Sequence, residues 1–200
     1  MLIGLGLGPG DPELLTLKAV RILREADAVF VPGGLAERLV APYRTTEVLS
    51  FPMNEDEGTV RHAVEAAAER IAGVAGQGTA VFALLGDPNV FSTWVRLLGV
   101  IREKYPDITC RTVPGVSAIT AFASVAGVTL SGGFSVTDGK EEQGRILLKV
   151  RRPREEAEGL AREGFRRFVL VERMFLDGEK VYRGELPEES TYFSILYAER

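Results

Sequence analysis

Reactive and metal-binding side chains are scarce in this 200-residue sequence, which contains one cysteine and one histidine. A single cysteine cannot form an internal disulfide, and one histidine beside it cannot complete the usual zinc or iron ligand sets, so we expect no metal site. Basic charge is not in excess either, because the chain has 24 lysines and arginines and 28 aspartates and glutamates. General nucleic-acid binding depends on a basic surface, and this composition argues against it.

Long apolar runs are missing as well. No run of about 18 apolar residues is present, which argues against a membrane span. The first residues, MLIGLGLGPGDP, show neither the basic segment nor the cleavage site of a signal peptide. We therefore expect a reduced, soluble, cytoplasmic protein, and the 46% hydrophobic content is sufficient for a core of useful size.

The first part of the chain, residues 1–113, alternates short apolar strands with glycine- and proline-containing loops and with helices. Strands that are apolar on both faces and alternate with helices predict a parallel sheet covered on both sides. In the first helix, the spacing predicts that Leu14, Leu17, Val20 and Leu23 face the sheet. The predicted strands are 2–7, 28–31, 80–85 and 109–113, and the predicted helices are 12–24, 57–74 and 91–105.

From Phe134 onward the pattern changes to strands with one helix, residues 154–163. Asp177-Gly178 predicts a hairpin between two of these strands. We place a domain boundary near Pro114, so that residues 1–113 form an α/β domain and residues 114–200 a smaller mixed α+β domain. The strand candidates of the second part are 134–136, 146–150, 168–173, 180–186 and 192–198.

Three glycine- and proline-containing turns follow strands of the predicted parallel sheet: Gly8–Pro12, Gly86–Pro88 and Pro114–Ala118. Parallel sheets bind ligands at the carboxyl ends of their strands, and glycine allows the backbone to approach a ligand closely. Any one of these turns is explained equally well as a tight turn with a capping aspartate. The presence of three such turns favours a ligand site.

The turns do not match the patterns of nucleotide-phosphate sites. Gly4-x-Gly6-x-Gly8 is followed by Pro9, which breaks the G-x-G-x-x-G spacing, and no P-loop pattern is present. The second strand ends at 30–33, FVPG, without an acidic residue for ribose hydroxyls. Glycine turns without phosphate chemistry suit a ligand such as S-adenosylmethionine.

The rare reactive residues are poor candidates for catalysis. His62 is expected on a helix surface, Cys110 inside a strand and Trp94 in a helix core, while Ser92 and Thr93 could either cap a helix or contact a ligand. One histidine offers no plausible Ser/His/Asp set. We therefore identify no catalytic side chain and expect the chemistry to depend on positioning two ligands.

Taken in order, the three motifs resemble those of the tetrapyrrole methylase family. Residues 6–19, GLGPGDPELLTLKA, resemble the opening signature of that family, and 85–88, LGDP, and 113–118, VPGVSA, resemble its other two motifs. These are S-adenosylmethionine-dependent enzymes of cobalamin and sirohaem synthesis. The resemblance implies an α/β fold of two domains, the cofactor in the trough between them, a small-molecule tetrapyrrole substrate and a homodimer.

Within the family, the chain is most similar to the branch that methylates C20 of precorrin-2 or cobalt-factor II. The similarity rests on Phe51-Pro52-Met53, on Phe91-Ser92-Thr93 and on 192–196, YFSIL. The second half is shorter than in that branch, mainly around 137–144. The alternatives are a C11 or C17 methylase, a macromolecule methylase such as diphthine synthase or the ribosomal-RNA methylase relatives, and a non-catalytic module that binds the cofactor or a tetrapyrrole.

The resemblance implies the cofactor contacts, while the charge pattern of the sequence itself indicates the residues that bind the substrate. Arg151 and Arg152, in a basic cluster that extends from Arg145 to Arg154, are predicted to bind substrate carboxylates, because arginine forks suit that group. The alternative is a solvated surface beside Glu155 and Glu156. The predicted cofactor contacts are Pro9, Leu85, Gly86, Asp87, Val90, Ser117 and Ala118 in the first domain, with Lys149 and Met174 in the second.

Overall fold

The computed structural model describes residues 1–52 and 56–200, and the chain divides into two compact units, Met1–Gly132 and Gly133–Arg200. Residues 114–132 thus group with the first unit, whereas the sequence placed a boundary near Pro114. The turn after the last strand of the first sheet explains the difference, because the Gly115 N–H donates to the Asp87 carboxylate of the same unit at 3.2 Å. Met53 of the predicted Phe51-Pro52-Met53 motif lies outside the described residues.

The first unit contains a parallel sheet in which β1 lies between β4 and β5, in the order β3-β2-β4-β1-β5. Helix α2 and strand β3 had not been predicted from the sequence. Strands of the first unit are Leu2–Gly6 (β1), Ala28–Val31 (β2), Glu47–Val48 (β3), Ala80–Leu84 (β4) and Cys110–Val113 (β5), and its α-helices are Leu17–Glu25 (α1), Gly34–Val40 (α2), Glu57–Ala75 (α3), Thr93–Lys104 (α4) and Ala118–Ala126 (α5).

Hydrophobic cores lie on both faces of this sheet, as the doubly apolar strands predicted. Ile3 and Leu5 of β1 pack in a cluster with residues of α1 and α2, while Leu2 packs in a second cluster with residues of α3 and α4. Trp94 of α4, 1% exposed, lies against β1, where a Cβ on Gly4 would meet its ring at 2.7 Å. Glycine at position 4 is therefore what allows the indole to pack flat against the strand.

The predicted first helix is divided in two. Asp11 caps a short 3-10 helix, Pro12–Leu14, and the Thr16 hydroxyl oxygen then accepts the Ala19 N–H at 3.0 Å and begins α1. Because α1 begins at Leu17 and not at Pro12, the side of the helix that is buried differs from the predicted one. Leu14 and Leu17, expected to face the sheet, are 40% and 91% exposed, whereas Leu23 is buried as predicted. The other residues that α1 buries are Ala19 and Ile22.

The second unit contains an antiparallel sheet in the order β6-β9-β7-β8, whose core includes Leu160 and Leu196. The predicted hairpin is confirmed, since β7 pairs antiparallel with β8. The strand predicted over 134–136 is wrong, because these exposed residues pair with no other strand of the described chain. Its elements are Gly144–Leu148 (β6), Pro153–Arg162 (α6), Arg167–Glu172 (β7), Lys180–Arg183 (β8) and Ser194–Glu199 (β9).

Across residues 1–52 and 56–200, none of the helices combines the length and the apolar character needed to cross a bilayer.

Candidate functional site

The three predicted turns lie side by side at one edge of the parallel sheet, because β1, β4 and β5 are neighbours that run in the same direction. The first two turns are bonded through their backbones. The Gly86 N–H donates to the Gly8 carbonyl at 2.7 Å, and the Gly8 N–H donates to the Gly86 carbonyl at 3.3 Å.

Glycine is required where these turns meet. A Cβ on Gly115 would lie 2.3 Å from the Gly86 carbonyl oxygen, and a Cβ on Gly6 would lie 2.4 Å from the Gly115 nitrogen. Gly86 itself has a φ of +70°, and a Cβ there would meet nothing within 4 Å. The backbone is therefore closely packed at Gly6 and Gly115, whereas there is open space beside Gly86. A ligand could approach the backbone closely there, as expected of a binding site built from glycine turns.

The carboxylate of Asp87 is occupied within the protein. Its Oδ1 accepts the Asn89 N–H at 2.8 Å, and its Oδ2 accepts the Gly115 N–H at 3.2 Å. The backbone carbonyl of Asp87 also accepts the Val90 N–H, at 3.2 Å, and a cofactor contact by this residue stays a prediction.

The remaining predicted cofactor residues of the first unit lie on the same three turns. Leu85 and Val90 are 36% and 38% exposed on the turn after β4, and Pro9 is half-buried on the turn after β1. Ser117 is the N-cap of α5, where its Oγ accepts the Ile119 N–H at 3.3 Å, and Ala118 begins that helix. The structure therefore brings all seven of these residues together at one edge.

The predicted residues of the second unit lie near Tyr192 or at the end of β7. Lys149, with a φ of +60°, directly follows β6, and its Nζ lies 5.1 Å from the centre of the Tyr192 ring. The guanidinium carbon of Arg151 lies 5.7 Å from the same ring, so both cations have an aromatic partner. Met174 is 47% exposed in the segment that follows β7.

The basic cluster between Arg145 and Arg154 separates into paired and unpaired cations. Arg145 binds Glu142 and Glu163, which raise the pKa of its guanidinium above the usual value. Arg152 pairs with Glu155 at 3.2 Å, and Arg154 pairs with Glu188 at 3.1 Å. Within the described chain, Lys149 and Arg151 have no carboxylate at ion-pair distance, which leaves these two cations able to bind an added anion.

Two features of these regions had no signal in the sequence. The Asn89 side-chain amide donates to the Thr112 hydroxyl oxygen of β5 at 3.1 Å. In the second unit, Glu172 is 7% exposed and its carboxylate accepts the Ser190 hydroxyl at 2.5 Å. Each bond joins residues that are distant in sequence and follow no periodic pattern.

The scarce reactive residues lie where the sequence predicted. His62 is exposed on α3, and Cys110 is partly buried in β5, where burial raises the pKa of its thiol. Trp94 is core, as expected. Ser92 does not cap α4 with its side chain, since its hydroxyl donates to the Pro88 carbonyl within the preceding turn.

A family model described as Tetrapyrrole (Corrin/Porphyrin) Methylases matches residues 1–189. A Methanocaldococcus jannaschii protein named "Probable cobalt-precorrin-2 C(20)-methyltransferase" is 27% identical over 92% of this chain and 87% of its own length. A Sinorhizobium protein named "Precorrin-2 C(20)-methyltransferase" is 33% identical over 68% of this chain and 61% of its own length.

Among solved structures, a precorrin-6Y methylase from Archaeoglobus fulgidus superposes with a TM-score of 0.51 at 21% identity. The match covers 100% of this chain and 98% of that one, and supports the same fold. The family match extends over all three glycine turns and nearly the whole chain. The chain therefore belongs to the tetrapyrrole (corrin/porphyrin) methylases and is a methyltransferase.

Proposed function

We propose that this chain transfers a methyl group from S-adenosylmethionine to C20 of precorrin-2 or of its cobalt-containing counterpart in cobalamin biosynthesis. The observation that carries the proposal is the set of interlocked glycine turns at one edge of the sheet, in a chain whose relatives are named for this reaction. A homodimer is part of the same proposal and rests on the family resemblance alone, while the proposed cytoplasmic location rests on the scarcity of cysteine.

The turns fit the methyl donor through their backbone. The open space beside Gly86 leaves room for a ligand, and the N-terminus of α5 at Ser117 and Ala118 offers N–H groups. Bound S-adenosylmethionine would supply a methyl group on a sulfonium. An electron-rich ring carbon can attack that methyl group without a protein nucleophile, with S-adenosylhomocysteine as the leaving group and loss of a proton from the ring to solvent. The residues of this edge then serve to align donor and acceptor, a contribution that can be large for a reaction between two bound molecules.

The tetrapyrrole contributes carboxylates, and Lys149 and Arg151 are the cations of the predicted cluster that suit them. Both lie beside the Tyr192 ring, and the carboxylates of the described residues leave them unpaired. Arg152 is less suited, because Glu155 occupies its guanidinium. Of the two arginines predicted from the sequence, Arg151 is therefore the stronger candidate.

The deciding experiment is a single-turnover incubation with methyl-labelled S-adenosylmethionine and either precorrin-2 or cobalt-factor II. We expect a gain of one methyl group on one of these substrates by mass spectrometry, with fragmentation assigning it to C20. Transfer to another ring carbon would favour a C11 or C17 methylase. Binding of the donor without transfer to either substrate would contradict the proposal and favour a macromolecular acceptor or a binding role.

A matched pair of glycine substitutions tests whether the turns form the donor site. Gly115→Ala would place a methyl group 2.3 Å from the Gly86 carbonyl oxygen, and we expect it to weaken donor binding at least about tenfold. Gly99→Ala lies in α4, where a Cβ meets nothing within 4 Å, and should leave binding unchanged. Equal affinities of the two variants, measured by calorimetry with S-adenosylhomocysteine, would move the donor site away from these turns.

A further inference from the structure

Strands β4 and β5 are not neighbours in the sheet, since β1 lies between them. No sheet ladder can therefore join the turn after β4 to the turn after β5. The structure joins them through side chains. The Asp87 carboxylate accepts the Gly115 N–H at 3.2 Å, and the Asn89 amide donates to the Thr112 hydroxyl oxygen at 3.1 Å.

Gly6, the last residue of β1, makes this crossing possible. A Cβ at that position would lie 2.4 Å from the Gly115 nitrogen and 2.7 Å from the Gly86 carbonyl oxygen. Because Gly6 has no side chain, the turns after β4 and β5 meet over the end of β1. Asp87, Asn89 and Thr112 then hold them in place, and we refer to these three residues as the clamp.

A second Gly-Asp-Pro tripeptide in the same unit shows that the clamp is not a general property of such turns. Asp11 also accepts the N–H two residues ahead, from Glu13 at 2.9 Å, as Asp87 does from Asn89. Among residues 1–52 and 56–200, the Asp11 carboxylate bonds to no other turn. Asp87 differs because its second oxygen is aligned with the Gly115 N–H across β1.

We propose that Asp87, Asn89 and Thr112 are positioning residues that set the spacing of the turns after β4 and β5 for binding the methyl donor. Asp87 acts through its bond to Gly115, and its carboxylate is not a ligand of the donor. The inference rests on the proposed function for the identity of the ligand, while the clamp itself is a property of the free protein.

The first test is NMR of the free protein. A backbone N–H that donates to a carboxylate gives an amide proton signal displaced downfield by that bond. Asp87→Asn replaces the ionised acceptor with a neutral amide, so the Gly115 amide proton signal should move upfield at constant pH. In Asp11→Asn, which changes only a local acceptor, the Gly115 signal should keep its wild-type position. An identical Gly115 chemical shift in the wild type and in Asp87→Asn would overturn the clamp.

The second test is calorimetric binding of S-adenosylhomocysteine. Asp87→Asn should raise Kd about tenfold, because one inter-turn bond to an ionised group is lost. Thr112→Val, which removes the acceptor at nearly constant volume, should raise Kd about threefold. Adding Asn89→Ala to Thr112→Val should raise Kd no further, because both substitutions remove the same bond. The exposed Asp107→Asn should leave Kd unchanged.

Failure of the clamp and failure of the proposed function give different results. Tight binding by the wild type and equally tight binding by Asp87→Asn and Thr112→Val would overturn the positioning role while leaving the methyltransferase proposal intact. No binding by the wild type would overturn the proposed donor site and the positioning role with it. The Gly115 amide signal in Asp87→Asn would in that case still decide whether the clamp exists.

Discussion

At the residue scale, neighbouring arginines of the second unit differ in what they contact. Arg151 lies over Tyr192 without a carboxylate partner among the described residues, whereas Arg152 is paired with Glu155. We expect Arg151→Ala to raise KM for the tetrapyrrole about tenfold with little change in the affinity for the methyl donor. Arg152→Ala is the matched control and should change KM much less. Equal effects of the two substitutions on KM would contradict this distinction.

Glu172 is a buried carboxylate whose partners are hydroxyl groups. Its oxygens accept the Ser190 hydroxyl at 2.5 Å and the Tyr182 hydroxyl at 3.4 Å. Glu172→Ala leaves Ser190 and Tyr182 without their acceptor, so the free energy of unfolding of the second unit should fall by about 2 kcal/mol. Glu172→Gln keeps an acceptor oxygen, so the free energy of unfolding should fall by less in that variant. Urea unfolding followed by far-UV circular dichroism measures both, and an unchanged midpoint for Glu172→Ala would show that water replaces the carboxylate.

At the element scale, the N-terminus of α3 is capped by the carboxylate of Asp56. The Thr59 hydroxyl, with the Thr59 and Gly58 N–H groups, donates to Asp56 and lowers the pKa of that carboxyl. A lowered folded-state pKa contributes stability above the unfolded-state pKa, and this contribution is lost as pH falls through the folded-state pKa. Asp56→Asn should therefore have a lower Tm than the wild type at pH 7, and the difference should shrink on acidification. A constant difference in Tm across that range would contradict the assignment.

Most elements of the first unit could be predicted because their apolar runs and helix-breaking residues are local signals. Helix α2 could not, since it begins at Gly34 directly after Gly33, and a pair of glycines usually indicates a loop. The predicted buried face of α1 was wrong at Leu14 and Leu17, because α1 begins anew after the Thr16 cap and its buried side no longer continues from Pro12. In the second part, 134–136 has the residues of a strand but no partner strand among the described residues, and a strand requires pairing.

The place of the candidate site was predictable, while its internal bonds were not. Parallel strands end at the same edge, so turns after β1, β4 and β5 had to meet there. The bond between Asp87 and Gly115 spans 28 residues, and that between Arg145 and Glu163 spans 18. Such pairs follow no period, so the paired or free state of each charge is known only from the folded chain.

At the scale of the whole molecule, an exposed segment without helix or strand joins the regular elements of the two units. Residues 127–143 are all exposed, and Lys140 is the only trypsin site between Arg111 and Arg145. Limited trypsin digestion should cut first after Lys140 and release fragments 1–140 and 141–200, because cleavage requires an accessible, irregular backbone. Lys140→Gln should remove this first cut. A first cut within α6 in the wild type would show that the second unit opens more readily than this segment.

The position of Trp94 against Gly4 also determines what can be seen by fluorescence. It is the one tryptophan of the chain, it belongs to the first unit, and its indole N–H has no partner within the described structure. Its emission should lie at short wavelength while that unit is folded and move to longer wavelength when water reaches the ring. The second unit contains no tryptophan, and its tyrosines are at positions 182, 192 and 197. Tryptophan emission will therefore not register melting of the second unit alone, and a protein in that state would still look native by this probe.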